Sequence, residues 1–482
     1  MGNELWRRGA LELAGMIASG EVSSTEVVAA HLARIDEVNP MLNAVVRRMD
    51  DAALAAAAAA DRAVAAGGPL GAFHGVPLTV KENIDVAGTP TTSSLVVFAE
   101  AVVGTDAPVV ERMRGAGAIP IGRTNLPDLG LRVATESTLH GITRNPWNPD
   151  LTAGGSSGGE ASALASGMSP IGLGNDLGGS LRNPAHCCGI ASIKPSTGLV
   201  PAASELPPPD ASIMFQLMGV EGVMARRVAD VRAGLLTVAG PHVRDPLALP
   251  ARLDEAPTGR PLRVAVCADP PGGTTDPAIV DAIRRAADAL SDAGADVVDA
   301  VPEAYERAIE LWSNLLNVDI REQLPLLDMV LGADARMFLR FAEEITPPLT
   351  LSEFSIGLTE RLGVEKVFRS FLDGAGDGHD VLLTPTWAHR AFRHGADVAS
   401  LEGGLHTFDT MRPVLPANLL GLPAAVVPVG LADGMPVGAQ LTARRFGDLV
   451  ALHAAQLLED AYPPLTPIDP HELRHHDGVP HR

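Results

Sequence analysis

The sequence predicts an α/β fold, with strands and helices mixed in one domain. Three observations carry this. Segments of strand period and helix period alternate along the chain instead of clustering by type. Residues 262–267, 277–293 and 297–301 read strand, helix, strand, a unit that closes as a right-handed parallel pair. Two apolar runs, DVLLTPT (380–386) and AAVVPVGL (424–431), read as buried strands.

The other elements follow in order. Ser-Ser-Thr-Glu at 23–26 forms a capping box, with Val28, Leu32 and Ile35 at helical spacing behind it. Asn39-Pro40 is expected to stop that helix. Residues 42–46 read as a short strand. An Ala-rich helix follows and ends at Gly67-Gly68. GVPLTVKENIDVAG (75–88) alternates, with Val76, Leu78 and Val80 on one face and Thr79 and Lys81 on the other. Residues 107–117 read as helix, 118–122 as strand, 143–155 as Pro/Asn/Gly-rich loop and 158–168 as helix. In 277–293, Ile279, Ile283, Ala286 and Leu290 share one face, with Pro277 in the first turn and Gly294 past the end. Residues 303–373 are mostly helical. The stretch 242–261 is the best linker candidate, but strands resume after it.

Composition narrows the function classes. The 482 residues are 46% apolar and 20% charged, enough for an extensive core. The formal net charge of −21 argues against a nucleic-acid backbone as main partner, because phosphate binding needs a basic face. The three cysteines include an adjacent pair, Cys187 and Cys188, without CxxC spacing, which implies a reducing compartment and no structural zinc. The N-terminus has no apolar signal region, and the Ala run at 52–60 is too short to span a bilayer. A cytoplasmic protein that neither enters membranes nor binds nucleic acid is expected. Three histidines in the tail, His475, His476 and His481, read as a solvated tail rather than a metal site.

Three short segments carry the chemistry. GNDLGGS (174–180) allows a tight turn whose backbone N–H groups converge, a nest for an oxyanion. GGSSGGE (154–160) has the composition of a flexible linker yet opens a helix. Lys81 ends an apolar strand. Singly, each has a bland reading: an ordinary turn, a helix cap and a solvated edge charge.

Together they resemble the amidase signature family. The matching stretches are PLTVKENIDVAG (77–88), GITRNPWNP (141–149), GGSSGGEASALASG (154–167), LGNDLGGSLRNPAHCCGIASIKPSTG (173–198), LLTPT (382–386) and NLLGLPAAVVPVGLADGMPVGAQL (418–441). The resemblance runs over roughly residues 10–460 and implies a single-domain α/β/α sandwich around a central mixed, largely parallel twisted sheet, with a Ser–cis-Ser–Lys triad. Residues 1–70 would be N-terminal helices, 75–200 the core, 200–215 and 303–373 the substrate-shaping region, and 470–482 a tail. Carried over by motif, Ser180 is the nucleophile, Ser156 the residue on the cis peptide bond and Lys81 the base. Leu177, Gly178, Gly179 and Ser180 supply oxyanion-hole N–H groups. Asp176, Arg182 and Ser157 support the loops; on spacing alone, Asp176 and Arg182 could equally be unrelated surface charges. The chemistry is consistent, since a serine needs an adjacent base and a lysine serves only when desolvation lowers its pKa. Asn175 departs from the family's usual Ser or Thr and is expected to alter hydrogen bonding behind the oxyanion loop without touching the triad.

Rival readings are weaker. Residues 155–159 also fit G-x-S-x-G, which would make Ser157 the nucleophile with His389 or His406, but that motif needs a strand directly before it. No phosphate-binding GxxxxGK[ST] is present, GLGNDLGG breaks the dinucleotide spacing, and no cofactor is expected. An amidotransferase subunit would carry the same triad together with partner-binding features that are not evident here. A scaffold-like homologue without activity is opposed by the intact Lys81, Ser156 and Ser180.

The expected substrate is a small-molecule amide or carbamate, acted on by a monomer or homodimer. Over its length the chain is similar to urethanases of the same family. The residues at 198–213 are short of charge and rich in Pro, Ala, Leu and Met, which points to an apolar pocket for aryl or alkyl groups.

Overall fold

A computed structural model describes residues 2–206, 210–374 and 376–471. The tail histidines His475, His476 and His481 lie outside the described residues, as does a short part of the 198–215 region.

The strands are β1 (Val45–Arg48), β2 (Pro77–Lys81), β3 (Ile119–Thr124), β4 (Glu136–Ser137), β5 (Gly141–Ile142), β6 (Ile171–Asp176), β7 (Ala191–Lys194), β8 (Val220–Ala225), β9 (Arg263–Val266), β10 (Asp296–Asp299), β11 (Val381–Pro385), β12 (Ala424–Ala432) and β13 (Met435–Ala443). All but the β4–β5 hairpin join one 11-stranded mixed sheet, in the order β1-β3-β2-β6-β8-β7-β12-β13-β11-β9-β10. Two parallel blocks, β3-β2-β6 and β11-β9-β10, flank an antiparallel centre. The β9–helix–β10 unit is parallel as predicted, with Pro277–Asp292 as its helix and the Asp276 side chain capping Ala278 N–H.

Strand alternation separates the two largest apolar clusters. Val381 and Leu383 of β11 join an apolar cluster with Ile279, Ile283 and Leu452, whose helices cover one face. Leu382 between them joins a second cluster with Trp312, Leu315 and Phe338 on the other. Helices Tyr305–Val330, Ala333–Ile345 and Leu351–Phe371 form that second layer, as the helical reading of 303–373 expects. No helix among the described residues is long and apolar enough to cross a membrane.

Several local expectations hold. Ser23 and Glu26 form both bonds of the capping box. The Ala-rich helix spans Asp50–Ala66 and ends at Gly67 in left-handed conformation. Others are corrected. The helix after the capping box runs through Pro40 to Leu42, because a proline in the last turn removes only one backbone bond. The end is closed by Asn43 in left-handed conformation, its N–H on Asn39 O, while the Asn39 side chain accepts from the Ala44 and Val45 N–H groups. Gly174 does not begin a turn; it lies within β6, which continues to Asp176.

Candidate active site

The parallel block β3-β2-β6 delivers the site. β2 is buried along its whole length, so Lys81 at its end is fully buried and is not an edge charge. Its Nζ lies 2.7 Å from Ser156 Oγ and donates to Asn175 Oδ1 at 2.6 Å. Burial lowers its pKa to about 7, against the opposing pull of the Asp176 and Glu160 carboxylates. The amine therefore titrates near neutral pH, where most lysines are fully charged.

The glycines of GGSSGGE serve close packing, not flexibility. The Gly155–Ser156 peptide bond is cis. A Cβ on Gly155 would stand 2.6 Å from the Val133 carbonyl carbon and 2.7 Å from Ala134 N, so only glycine fits. The helix Gly158–Ala165 starts directly after Ser157 and is buried throughout. Ser157 N–H donates to Ser180 O at 3.3 Å, which ties the two serine loops together, and Ser157 Oγ donates to Asn175 O at 3.4 Å. His389 instead stacks edge-on against His406 with ring centroids 4.6 Å apart. No strand stands directly before Gly154, as rejection of the G-x-S-x-G reading requires.

The loop carrying Ser180 is clamped from behind. Asp176 accepts from Gly179 N–H at 2.9 Å and from Leu181 N–H at 3.1 Å. Arg182 donates to both Asp176 oxygens, from Nε at 3.0 Å and Nη2 at 2.9 Å. Both side chains are fully buried, so the reading as unrelated surface charges is overturned. The guanidinium holds the Asp176 carboxyl well below the usual carboxylate range despite burial. Arg182 also reaches Val414 O at 2.9 Å, Gln440 Oε1 at 2.8 Å and Asn418 Oδ1, which binds the loop to β13 and the helix Leu415–Leu419.

Two expectations change here. Gly179 N–H is already engaged by Asp176 Oδ1, so it does not fit the expected oxyanion-hole set. Leu177, Gly178 and Ser180 of that expected set line the adjoining pocket. Asn175 does touch Lys81: it lies within β6, and its Oδ1 accepts from Lys81 Nζ.

Sequence reasoning missed three other groups. Glu160 lies buried beside Lys81, bonded by Thr124 Oγ1 at 2.8 Å and by Thr79, and burial raises its pKa to about 7. It is the last residue of GGSSGGE, and only its proximity to the serines could have flagged it. Asn418 stands in the NLLGLP stretch that carried the resemblance. Trp312, on Tyr305–Val330, donates from Nε1 to Leu177 O at 3.1 Å, and a Cβ on Gly178 would stand 2.7 Å from its ring. No motif marks it.

The pocket in front of Ser180 runs between this loop and the second helical layer. Its walls include Leu131, Val133, Trp312, Leu316, Ile320, Phe338, Leu339, Phe408 and Met411. The one charged liner, Arg132, is held by Asp397 at 2.8 Å, Glu136 at 3.1 Å and Asp334 at 3.3 Å. A broader cleft elsewhere, around Trp147, Arg390 and Asp433, is lined by none of Lys81, Ser156 and Ser180.

A buried amine on a serine hydroxyl and a clamped glycine–serine loop thus adjoin an apolar pocket beside the sheet. The family model described as Amidase matches residues 26–452. The chain is 38% identical over 458 residues to an indoleacetamide hydrolase of Bradyrhizobium diazoefficiens, covering 95% of this chain and 87% of that one. It is 32% identical over 465 residues to an acylamidase of Rhodococcus erythropolis, covering 94% and 95%. Among solved structures, a bacterial aryl acylamidase of the amidase signature family superposes with a TM-score of 0.81 at 28% identity, covering 95% and 96%. The chain belongs to the amidase signature family and is a hydrolase acting on carbon–nitrogen bonds.

Proposed function

We propose that this chain hydrolyses neutral amides bearing an apolar or aryl group, through an acyl-enzyme on Ser180. The observation that carries this is the 2.7 Å contact between Ser156 Oγ and the fully buried amine of Lys81. Ser180 Oγ attacks the carbonyl and passes its proton to Ser156, which passes its own to Lys81. The oxyanion forms facing the N–H groups of Leu177, Gly178 and Ser180. Ser156 then protonates the departing nitrogen with the proton returned by Lys81. Water attacks the ester in the same way, and the acid leaves.

The pocket supports the substrate class. Its walls are mostly aliphatic and aromatic, with Ser313 and Asn317 as neutral polar liners, and its arginine is already paired, so a charged acyl group would be desolvated without a charged partner. The named relative acts on indoleacetamide, and a primary arylacetamide suits these walls. A carbamate presents the same carbonyl. Its acyl-enzyme would be a carbonate ester, which water resolves to alcohol and carbon dioxide.

The deciding assay compares indoleacetamide, a para-nitroanilide and a small aryl carbamate with wild type and Ser180→Ala. Turnover of an amide by the isolated chain, abolished in Ser180→Ala, supports the reading. Carbamate turnover at comparable kcat/KM extends it to urethanase activity, and its absence confines it to amides. Full activity in Ser180→Ala refutes the nucleophile. Activity that requires a co-purified partner would favour the amidotransferase reading. Equal turnover of charged and neutral aryl substrates would refute the apolar-pocket argument.

A further inference from the structure

Asn175 stands next to last in β6, across the antiparallel ladder from Glu221. Its Oδ1 takes one hydrogen bond from Lys81 Nζ at 2.6 Å, and Ser156 Oγ lies on the same nitrogen at 2.7 Å. The protonated amine donates to both. The neutral amine has two N–H groups and one lone pair, and it works as a base only when the lone pair points at Ser156. An amide oxygen accepts from nitrogen in either state and never donates. A hydroxyl at this position could donate to the lone pair and occupy it.

We propose that Asn175 is a positioning residue for the Lys81 amine. Its carbonyl holds one N–H before and after proton transfer, reserves the lone pair for Ser156, and favours the ammonium formed when Ser156 hands over its proton. This rests on Lys81 being the base, as proposed above. The Asn175 backbone is itself fixed, with its C=O accepting from Ser157 Oγ at 3.4 Å inside a strand paired to β8. Around Lys81, the charged groups are Asp176 from β6 and Glu160 from Gly158–Ala165. From β3, the Arg123 guanidinium reaches the Lys81 main-chain carbonyl at 3.4 Å. The next residue, Glu82, is engaged by His140 Nε2 at 2.6 Å. Asn175 and Ser156 are the uncharged side chains that bond Nζ directly.

The test is the pH dependence of kcat and kcat/KM on an arylacetamide for wild type, Asn175→Ala and Asn175→Asp, with Lys81→Ala as control. In Asn175→Ala, the acid limb is expected to fall by about one pH unit, because the ammonium loses a charge-assisted acceptor. Its kcat should drop roughly tenfold or more with KM within about twofold, as for an interaction realised in the transition state. In Asn175→Asp, a carboxylate against Nζ should raise the acid limb by roughly 1–3 units. Opposite shifts would not arise from structural damage, which lowers kcat without moving the limb. An acid limb unmoved in both variants, with Lys81→Ala inactive, overturns the proposal and leaves the triad standing. Wild-type activity in Lys81→Ala overturns the triad. If Asn175→Ala does not fold, the near-isosteric Asn175→Asp decides alone.

Discussion

Two lysines end two strands of the same sheet, Lys81 on β2 and Lys194 on β7. Both are fully buried, and burial lowers both to a pKa of about 7. Their partners separate them. Lys194 Nζ donates to the main-chain oxygens of Pro195 and Leu422, each at 2.9 Å. A carbonyl accepts but has no proton to pass on, so that amine is a structural tie between β7 and the segment before β12. Lys81 faces a serine hydroxyl, which accepts and donates at once. Desolvation alone therefore does not make a base; it needs a relay group at the nitrogen.

The largest expected contrast is between the two truncations. Lys81→Met should lower kcat by roughly 10²–10⁴-fold with a melting temperature near that of wild type, the usual range for a positioned acid–base group. Lys194→Met should leave kcat per folded molecule nearly unchanged while costing stability of about 1–3 kcal/mol, because buried carbonyls lose their donor. Comparable kcat losses in both would break the distinction, and calorimetry beside steady-state kinetics reads both quantities.

Next comes the clamp behind Ser180. Asp176→Asn should destabilise by roughly 3–5 kcal/mol, since it strands the buried Arg182 charge. Denaturant unfolding measures it, and a loss under about 1 kcal/mol would show that the pair contributes little.

The pH dependence sharpens the Lys81 side. In the proposed mechanism the neutral amine is the active form, and its pKa is lowered to about 7. Activity should be full above that value and fall about tenfold per unit below it, as for a single essential base. Glu160 is raised to about 7 by burial and lies near enough to pull Lys81 upward. Glu160→Gln should therefore move the acid limb downward, and an upward shift would contradict the electrostatic account.

The smallest effect is expected at Trp312. Replacement by Phe keeps the pocket wall but removes the bond to Leu177 O. A kcat loss of roughly 3–10-fold is expected, equivalent to one ordinary hydrogen bond. An unchanged kcat would make Trp312 a wall only.

Legibility followed locality. The capping box at Ser23, the β9–helix–β10 unit and the Pro277 helix are specified by neighbours in sequence, and they stand where they were expected. The sequence pattern does not mark the strands β6, β7, β8 and β13. They are short or buried on both faces and so lack the alternation that marks a half-exposed strand. Failure to recognise β6 misplaced Asn175 in a loop and hid its contact with Lys81. Trp312 was invisible for another reason: it lies far along the chain from Leu177, in a helix whose apolar pattern reads only as core.

By itself, the sequence determined the α/β class, the family resemblance and the choice of Lys81, Ser156 and Ser180 as candidates, because glycine–serine loops and their flanks are written in contiguous residues. The tertiary structure alone decided that Asp176 and Arg182 form a buried clamp, that this clamp takes the Gly179 N–H, and that Asn175 and Glu160 surround the amine. It also decided that Lys81 and not Lys194 meets a hydroxyl. Such facts depend on which strands become neighbours and how deeply they are buried. Hydrogen bonds and desolvation act over a few ångströms of space, whatever the separation along the chain.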